Sequence, residues 1–412
     1  MSPIVNATIS DRDFVPSTYR WAILILSYLC MLGFAFTLQS LPPVLTLIIE
    51  DLGLTHTQAG LLMSLFALPP VFTSILTGFF SDRLGPYRVG IISFVLMISG
   101  MVLFAFSHSF FHAGMARVVA GIGASTLAIV SAKIVSQWFG GHEIGTAMGI
   151  FNTAMPVGTI ICFSTFGNIG ERLGWRMVMF IAAGVGVIGL LAFLTIFKSL
   201  PRESPKREPV EKRGDERLFS NILSITGPVW MVGLCWMWFN AAVISFSTFA
   251  PDYFISRGAP IALAGVLVSL LMWGSLVLSP VIGRLVDTLG KNEMFIGVGG
   301  ILLGISIFLV TKIERALFPM AVMSFAVAFV PAPVFSFPAK ALKQEILGLV
   351  FGLYFMMSSL GMFLGPYAAG YVRDTSGMYE TSFILLSVLA LLITLTVLTS
   401  RITMRSKSSE SL

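Results

Sequence analysis

Two apolar segments of this chain, 205 residues apart, close in the same way: Gly78-Phe-Phe-Ser-Asp82-Arg83-Leu84-Gly85 and Gly283-Arg-Leu-Val-Asp287-Thr-Leu289-Gly290. The likeness reaches upstream. Laying Gln58–Gly85 on Leu263–Gly290 gives ten identities in 28 positions, among them Ala59, Gly60, Leu62, Ser64, Leu65 and Ser74. A second register, at 203 residues, carries Gly145, Gly149, Gly158, Gly167, Gly174 and Phe180 onto Gly348, Gly352, Gly361, Gly370, Gly377 and Phe383, and Glu171 onto Asp374. A chain written this way is expected to fold as two similar halves.

The stretches between these marks are apolar. Apolar residues make up 56% of the 412 and charged ones 11%, with a mean hydropathy of +0.90. A soluble domain carries roughly a quarter charged residues, so most of this surface is expected to face lipid. A spanning helix needs about 20 apolar residues. Such runs fall at 21–46, 58–80, 88–107, 113–137, 145–168, 175–198, 222–250, 261–283, 293–311, 316–338, 347–371 and 380–400. The predicted fold is therefore an all-α membrane protein with 12 transmembrane helices in two pseudo-symmetric six-helix halves, 21–198 and 221–401. An N-terminal tail (1–20), a charged linker (199–220) and a C-terminal tail (402–412) complete it. The first run is too long for the apolar core of a signal peptide and lacks a small-residue cleavage site, so it reads as an uncleaved span.

Lys and Arg set the predicted orientation. With both termini inside, the cytoplasmic segments hold 18 of the 26 basic residues, seven of them in 198–217, and the outer loops hold six. The remaining two, Arg117 and Lys133, lie within a span. The predicted location is a cell membrane, plasma or inner, crossed many times. Two similar membrane halves are the architecture of an alternating-access carrier, whose site lies where the halves meet.

The motifs resemble those of the major facilitator superfamily over essentially the whole chain. Gly78, Asp82, Arg83, Gly85 and Arg88 match that family's loop between spans two and three, and Gly283, Asp287, Gly290 and Lys291 its reduced second copy. Arg117, Gly121 and Gly123 resemble the fourth-span pattern, Trp138, Phe139, Glu143 and Gly145 the junction of spans four and five, and Gly174-Trp175-Arg176 the turn before span six. The ending Gly365-Pro366, Gly370, Asp374 and Gly377 resembles span eleven of carriers of small carboxylates and related anions. The resemblance implies a rocking secondary carrier that works as a monomer. It also implies a latch in which Asp82 holds the start of the eleventh span, Arg83 pairs with Glu143, and Asp287, Lys291 and Glu345 form the pseudo-symmetric set. Read from the residues alone, the same positions are also ordinary turn glycines and interfacial charges.

A cation inside a span costs roughly 3 kcal/mol on insertion scales, which marks Arg117 and Lys133 as candidate binding residues. They stand sixteen residues apart, so an ideal helix points them to nearly opposite faces. One of them is expected to face a cavity squarely, and the sequence leaves open which. Lys133 has the alternative of snorkelling toward Trp138, and Arg117 toward His112. No Asp or Glu lies in the central part of any span, so the buried formal charge is positive and suits an anion. Further candidates for the substrate site are Gln39, Asn152, Asn240 and Trp273. An intramembrane Asn also serves simply to bond a neighbouring helix.

Cys30, Cys162 and Cys235 sit in apolar runs and read as small apolar residues. The four histidines lack metal-ligand spacing, and no phosphate-cradling Gly-Lys loop or catalytic triad order is present, so no metal, cofactor or enzymatic activity is predicted. The expected partners are lipid and a small-molecule substrate, anionic by the charge argument, with a coupling proton or counter-substrate left open and no nucleic acid. Two other readings remain. An exporter of hydrophobic or cationic compounds fits the Met- and aromatic-rich interior, although Met155-Pro156-Val157-Gly158 departs from the pattern of drug/proton antiporters. A membrane receptor that binds without exchanging is the other.

Overall fold

The computed structural model describes residues 19–139, 143–197, 227–313, 315–341 and 344–409, with the backbone alone at 74–76, 78–80, 82, 339–341, 344–349 and 400–409. The predicted linker 199–220 and the residues 1–18 and 410–412 lie outside the described residues, as do the side chains of Asp82 and Glu345. Every regular element described is helical. In chain order the segments are α1 (Tyr19–Leu52), α2 (His56–Leu84), α3 (Pro86–Ala105), α4 (Phe110–Trp138), α5 (Ile144–Leu173) and α6 (Trp175–Ile196). There follow α7 (Gly227–Ser256), α8 (Ile261–Leu289), α9 (Asn292–Val310), α10 (Leu317–Pro338), α11 (Gln344–Ser376) and α12 (Tyr379–Ser409). Eleven helical segments are long and apolar enough to cross a membrane, and α2 runs 29 residues beside them.

Local chemistry sets where these helices begin, break and end. Thr55 caps α2 by accepting from the Gln58 N–H, and the Gln58 side chain accepts from the Thr55 N–H in return. Ser109 caps α4 in the same manner through the His112 N–H. α1 breaks after Gln39 because Pro42 and Pro43 have no N–H to give the carbonyls one turn back. A 3-10 turn, Pro42–Val44, carries the chain into the short helix Leu45–Leu52. α5 is interrupted at Thr153 and α10 between Ala328 and Pro331. Most helices run past the apolar windows, α8 to Leu289 and α11 back to Gln344. Hydropathy detects only the part that meets hydrocarbon, whereas backbone hydrogen bonding carries on into the polar zone.

The duplication seen in sequence is a duplication of backbone. Among the described residues, the positive-φ positions are Gly53 (60°) and Gly258 (88°), Gly85 (82°) and Gly290 (63°), and Gly174 (84°) and Gly377 (72°). The first two pairs are 205 residues apart and the third 203. Glycine reaches this region without steric cost, and each half turns at the same three places. Packing repeats as well. The contacts α2 with α4, α3 with α4, α3 with α6, α1 with α5 and α1 with α6 recur as α8 with α10, α9 with α10, α9 with α12, α7 with α11 and α7 with α12.

The halves meet through α2 with α11, α5 with α8, and α1 with α7. We call the side of the bundle where α1 starts and α12 ends the terminal side, and the opposite side the far side. Apolar side chains stud the outward faces, among them Val95, Leu103, Phe111, Leu191, Phe325 and Leu395, all more than half exposed in the isolated chain. This is the pattern of a multi-pass membrane protein, its helices coated by lipid.

Candidate functional site

The site region is framed by glycines at a fixed spacing on the four helices that cross between the halves. Gly60 and Gly78 on α2, Gly149 and Gly167 on α5, Gly265 and Gly283 on α8, and Gly352 and Gly370 on α11 are each 18 residues apart. Eighteen residues make five helical turns and about 27 Å, so both members of a pair share one face. The far-side members are in contact across the seam. A Cβ on Gly60 would fall 2.2 Å from the Pro366 carbonyl oxygen, and one on Gly265 would fall 2.1 Å from that of Phe163. The terminal-side members Gly149, Gly283 and Gly352 would meet nothing within 4 Å among the described residues. The far side is therefore closed by backbone against backbone, and the matching faces on the terminal side stand apart.

Polar groups lock the closed side. Asp374, at the end of α11, accepts from the backbone N–H of His56 (3.0 Å) and Thr57 (2.7 Å) and from the Thr57 hydroxyl (2.5 Å). It thus caps the first turn of α2 from the opposite half, where a carboxylate gains from the helix dipole. Asp252 of α7 accepts from the Thr46 hydroxyl at 2.5 Å and from the Tyr379 hydroxyl. The latch implied by resemblance has the same logic, an acid ending one helix and capping its cross-half neighbour. The observed copy sits at the far side, on Asp374. On the terminal side, Gly85 and Gly290 end their helices in positive-φ conformations, and Arg83, Arg88, Asp287 and Lys291 are exposed. Glu143 pairs with Arg20 at 2.8 Å. The side chains at Gly78, Asp82 and Glu345 are outside the described residues.

Arg117 is wholly buried. Its Nη1 donates to the Thr37 carbonyl (2.9 Å), its Nε to that of Leu62 (3.2 Å), and its Nη2 reaches Met63 Sδ (3.5 Å). The guanidinium lies 4.6 Å from the Phe66 ring centroid. Thr37 belongs to the last turn before the α1 break, where carbonyls outnumber donors and the helix dipole is negative. That break lets a cation sit without an acid, and no carboxylate pairs with Arg117 among the described residues. One of the two cations was expected to face a cavity squarely; Arg117 does not, since its charge is inside the bundle and its guanidinium is covered by α1 and α2.

Gln39, two residues beyond Thr37, is also fully buried, and neither atom of its amide has a hydrogen-bond partner among the described residues. The opposite half holds a second such place. Trp236 stacks on Phe239 (5.2 Å) and meets Phe335 edge-on (5.1 Å), and Phe335 in turn meets Tyr354 (6.4 Å). The Trp236 indole N–H and the Tyr354 hydroxyl are both buried without a partner among the described residues. Leaving a buried polar group unmet costs roughly 1–3 kcal/mol; Ser27, Ser64, Thr73 and Arg373 also carry such an atom, and Gln39, Trp236 and Tyr354 are the ones that sit deep in spans with a full amide, indole or phenol to offer. The sequence reading did not single out Tyr354, since a lone tyrosine in an apolar run carries no motif.

The other predicted residues scatter. Lys133 Nζ, half-buried, bonds Ser81 Oγ at 3.1 Å. Asn240 donates to the Trp236 carbonyl of its own helix at 2.8 Å. Asn152 is exposed, three residues beyond Gly149 on the open face. Trp273 is placed instead on an outward stripe with Val266, Val277 and Val281, which corrects its expected place in the cavity. Depth in a span does not fix azimuth, and at this azimuth the ring meets lipid.

Comparison with known proteins agrees with this architecture. The family model described as Major Facilitator Superfamily matches residues 26–366 and 256–411. The lysosomal dipeptide transporter MFSD1 of Danio rerio is 23% identical over 398 residues, covering 92% of this chain and 86% of the relative. The hexuronate transporter of Bacillus subtilis is 23% identical over 377 residues, covering 85% and 87%. The probable sulfoacetate transporter SauU of Cupriavidus necator is 23% identical over 393 residues, covering 88% and 90%. Among solved structures, a bacterial homolog of the human lysosomal transporter Spinster, in an inward-facing and unoccupied conformation, superposes with a TM-score of 0.77 at 16% identity. It covers 93% of this chain and 98% of that one. The doubled helical bundle, its shared turns and this family match together place the chain in the major facilitator superfamily of membrane transporters.

Proposed function

We propose that this transporter carries a small organic anion, held between the halves near Gln39 and the Trp236–Tyr354 cluster and drawn there by the charge of Arg117. The observation that carries this reading is the charge balance of the interior. Arg117 is buried without a carboxylate partner, and among the described residues every acidic side chain lies within four residues of a segment end. The unfilled groups at Trp236 and Tyr354 are donors, and the Gln39 amide adds two more, a set suited to carboxylate or sulfonate oxygens. Relatives named for hexuronate, sulfoacetate and galactarate or D-glucarate, all organic anions, support the same class. The excess of Lys and Arg on the terminal side supports a cytoplasmic position for both termini, so that the far side is the outer face of a cell membrane. The glycine pairs then give the two end states of this reading: a seam closed on the far side, taken as the outside, and its counterpart closed inside. A single chain contains both halves of the site, in keeping with function as a monomer.

One observation favours a second reading. The rings of Trp236, Phe239, Phe335 and Tyr354 also suit a lipophilic cation. Ligand-induced thermal stabilisation of the purified protein separates the two, using galacturonate, sulfoacetate, a neutral dipeptide and tetraphenylphosphonium as probes. Stabilisation by the two anions, reduced in Tyr354→Phe, is the expected result. Stabilisation by tetraphenylphosphonium alone replaces the anion reading with the exporter. Binding without counterflow in proteoliposomes identifies a receptor.

A further inference from the structure

Where α2 starts, His56 stands between two carboxylates of the opposite half. Its Nδ1 is 3.1 Å from Asp374 Oδ1 and its Nε2 is 3.4 Å from Asp252 Oδ2. A neutral imidazole has one N–H, so one of its nitrogens would turn a lone pair toward a carboxylate oxygen. An imidazolium donates from both. The carboxylates themselves are arranged as acceptors. Asp374 takes the two backbone N–H groups and the hydroxyl at Thr57 and His56, and Asp252 takes the Thr46 and Tyr379 hydroxyls. The cluster thus sets an acceptor opposite each ring nitrogen of His56.

Of the other charges nearby, Arg373 stands at the cluster itself, its guanidinium 4.5 Å from the Tyr379 ring centroid and its Nε buried without a hydrogen-bond partner among the described residues, while Arg257 faces Glu380 at 3.6 Å and, on the α1 side, Asp51 pairs with Arg176 at 2.8 Å. Tyr379 meets His56 edge-on at 5.6 Å and Tyr253 at 5.8 Å, closing the ring of groups around the cluster. The side chains of His56, Asp252 and Asp374 keep 23%, 10% and 27% of their exposure, so protons reach them from the far side.

We infer that His56 is a proton-binding site tied to far-side closure, so that sealing this side of the carrier takes up one proton from the compartment it faces. Opening withdraws His56, on one half, from Asp252 and Asp374, on the other, and removes the two acceptors that hold the proton. Acidification on that side then favours the closed seam. This rests on the reading that the far side opens and closes, but not on the nature of the substrate.

The test is a distance measurement by pulsed electron spin resonance in lipid nanodiscs, without substrate. Spin labels at Leu173→Cys and Met378→Cys, both exposed at the far side on different halves, report the closed and open populations from pH 5 to 8.5. The native cysteines are buried. The ratio of closed to open is expected to fall with rising pH, with tenfold per pH unit as the limit for one proton. The response is expected to vanish in His56→Gln and in Asp252→Asn, where the neutral amide removes the demand for a second charged donor. An unchanged response in either variant, or none in the parent protein, overturns the proposal. Failure of anion binding with the pH response intact would instead count against the substrate reading alone.

Discussion

Replacing Arg117 by Met separates the charge from the volume it fills. The guanidinium joins α1, α2 and α4 through the Thr37 and Leu62 carbonyls at 2.9 and 3.2 Å and through the Phe66 ring. Each hydrogen bond from a charged donor is worth roughly 1.5–3 kcal/mol. Against them stands the cost of a cation within a span, roughly 3 kcal/mol on insertion scales. The Thr37 carbonyl keeps the Ser40 hydroxyl at 3.2 Å when the arginine is gone. These terms nearly offset, as apolar replacements of buried charges often do, so Arg117→Met is expected to fold with a thermal midpoint within a few degrees of wild type. Anion affinity behaves differently. A covered charge acts on a bound anion at a distance, and for an assumed separation of about 8 Å an effective dielectric constant near 20 gives an attraction of roughly 2 kcal/mol for a monoanion. That is about thirtyfold in Kd, and roughly a thousandfold for a dianion. Calorimetric titration with galacturonate, its methyl ester and galactarate reads these three cases. The ester should bind alike to both proteins. A folded Arg117→Met protein that binds galacturonate and galactarate as wild type does would refute the electrostatic argument.

Tyr354→Phe removes a buried hydroxyl that has no partner, so the unliganded protein should gain roughly 1 kcal/mol in stability while anion Kd rises about tenfold. A loss of stability in thermal melts would mean that the hydroxyl is satisfied in the free protein. Gly60→Val drives a side chain into the Pro366 carbonyl and should open the far side, read as a longer distance between labels at positions 173 and 378. Gly352→Val meets open space in the present state, so its melting temperature should hardly change. Counterflow should nevertheless slow severalfold, because the terminal-side seam can no longer close. Normal counterflow in that variant would argue against a symmetric pair of seams.

Much of this was legible in the residues. Apolar runs placed the spans, and the 205- and 203-residue registers held the turn glycines Gly85 and Gly290, Gly174 and Gly377, since a positive φ demands glycine and leaves a mark in sequence; the third pair, Gly53 and Gly258, lay upstream of the aligned stretch and was not read. Arg117 stood out because a lone intramembrane cation is costly wherever it points. Its covering by α1 and α2 was not legible. It depends on a helix break and a close approach at Gly121, whose Cβ would lie 2.3 Å from the Phe66 carbonyl oxygen. Trp273 failed for the complementary reason: span depth was readable and azimuth was not. Asp374 was paired by register with Glu171, but its true partners are 318 and 317 residues away at the start of α2. Such a bond leaves no periodicity for a sequence to show.

The seam that shuts the far side is built from main chain. At Gly60 and Gly265 the nearest atoms are the main-chain carbonyls of Pro366 and Phe163, which have no rotamers to lose or regain, with the Phe249 ring beside Gly60. Parting them would free no main-chain rotamers, so what separates a closed seam from a parted one lies in the side chains beside it, Phe249 and Ile261 among them, and in the polar contacts of Asp252 and Asp374. A seam jointed this way resembles a hinge with smooth faces, held at its rim by a few polar clasps.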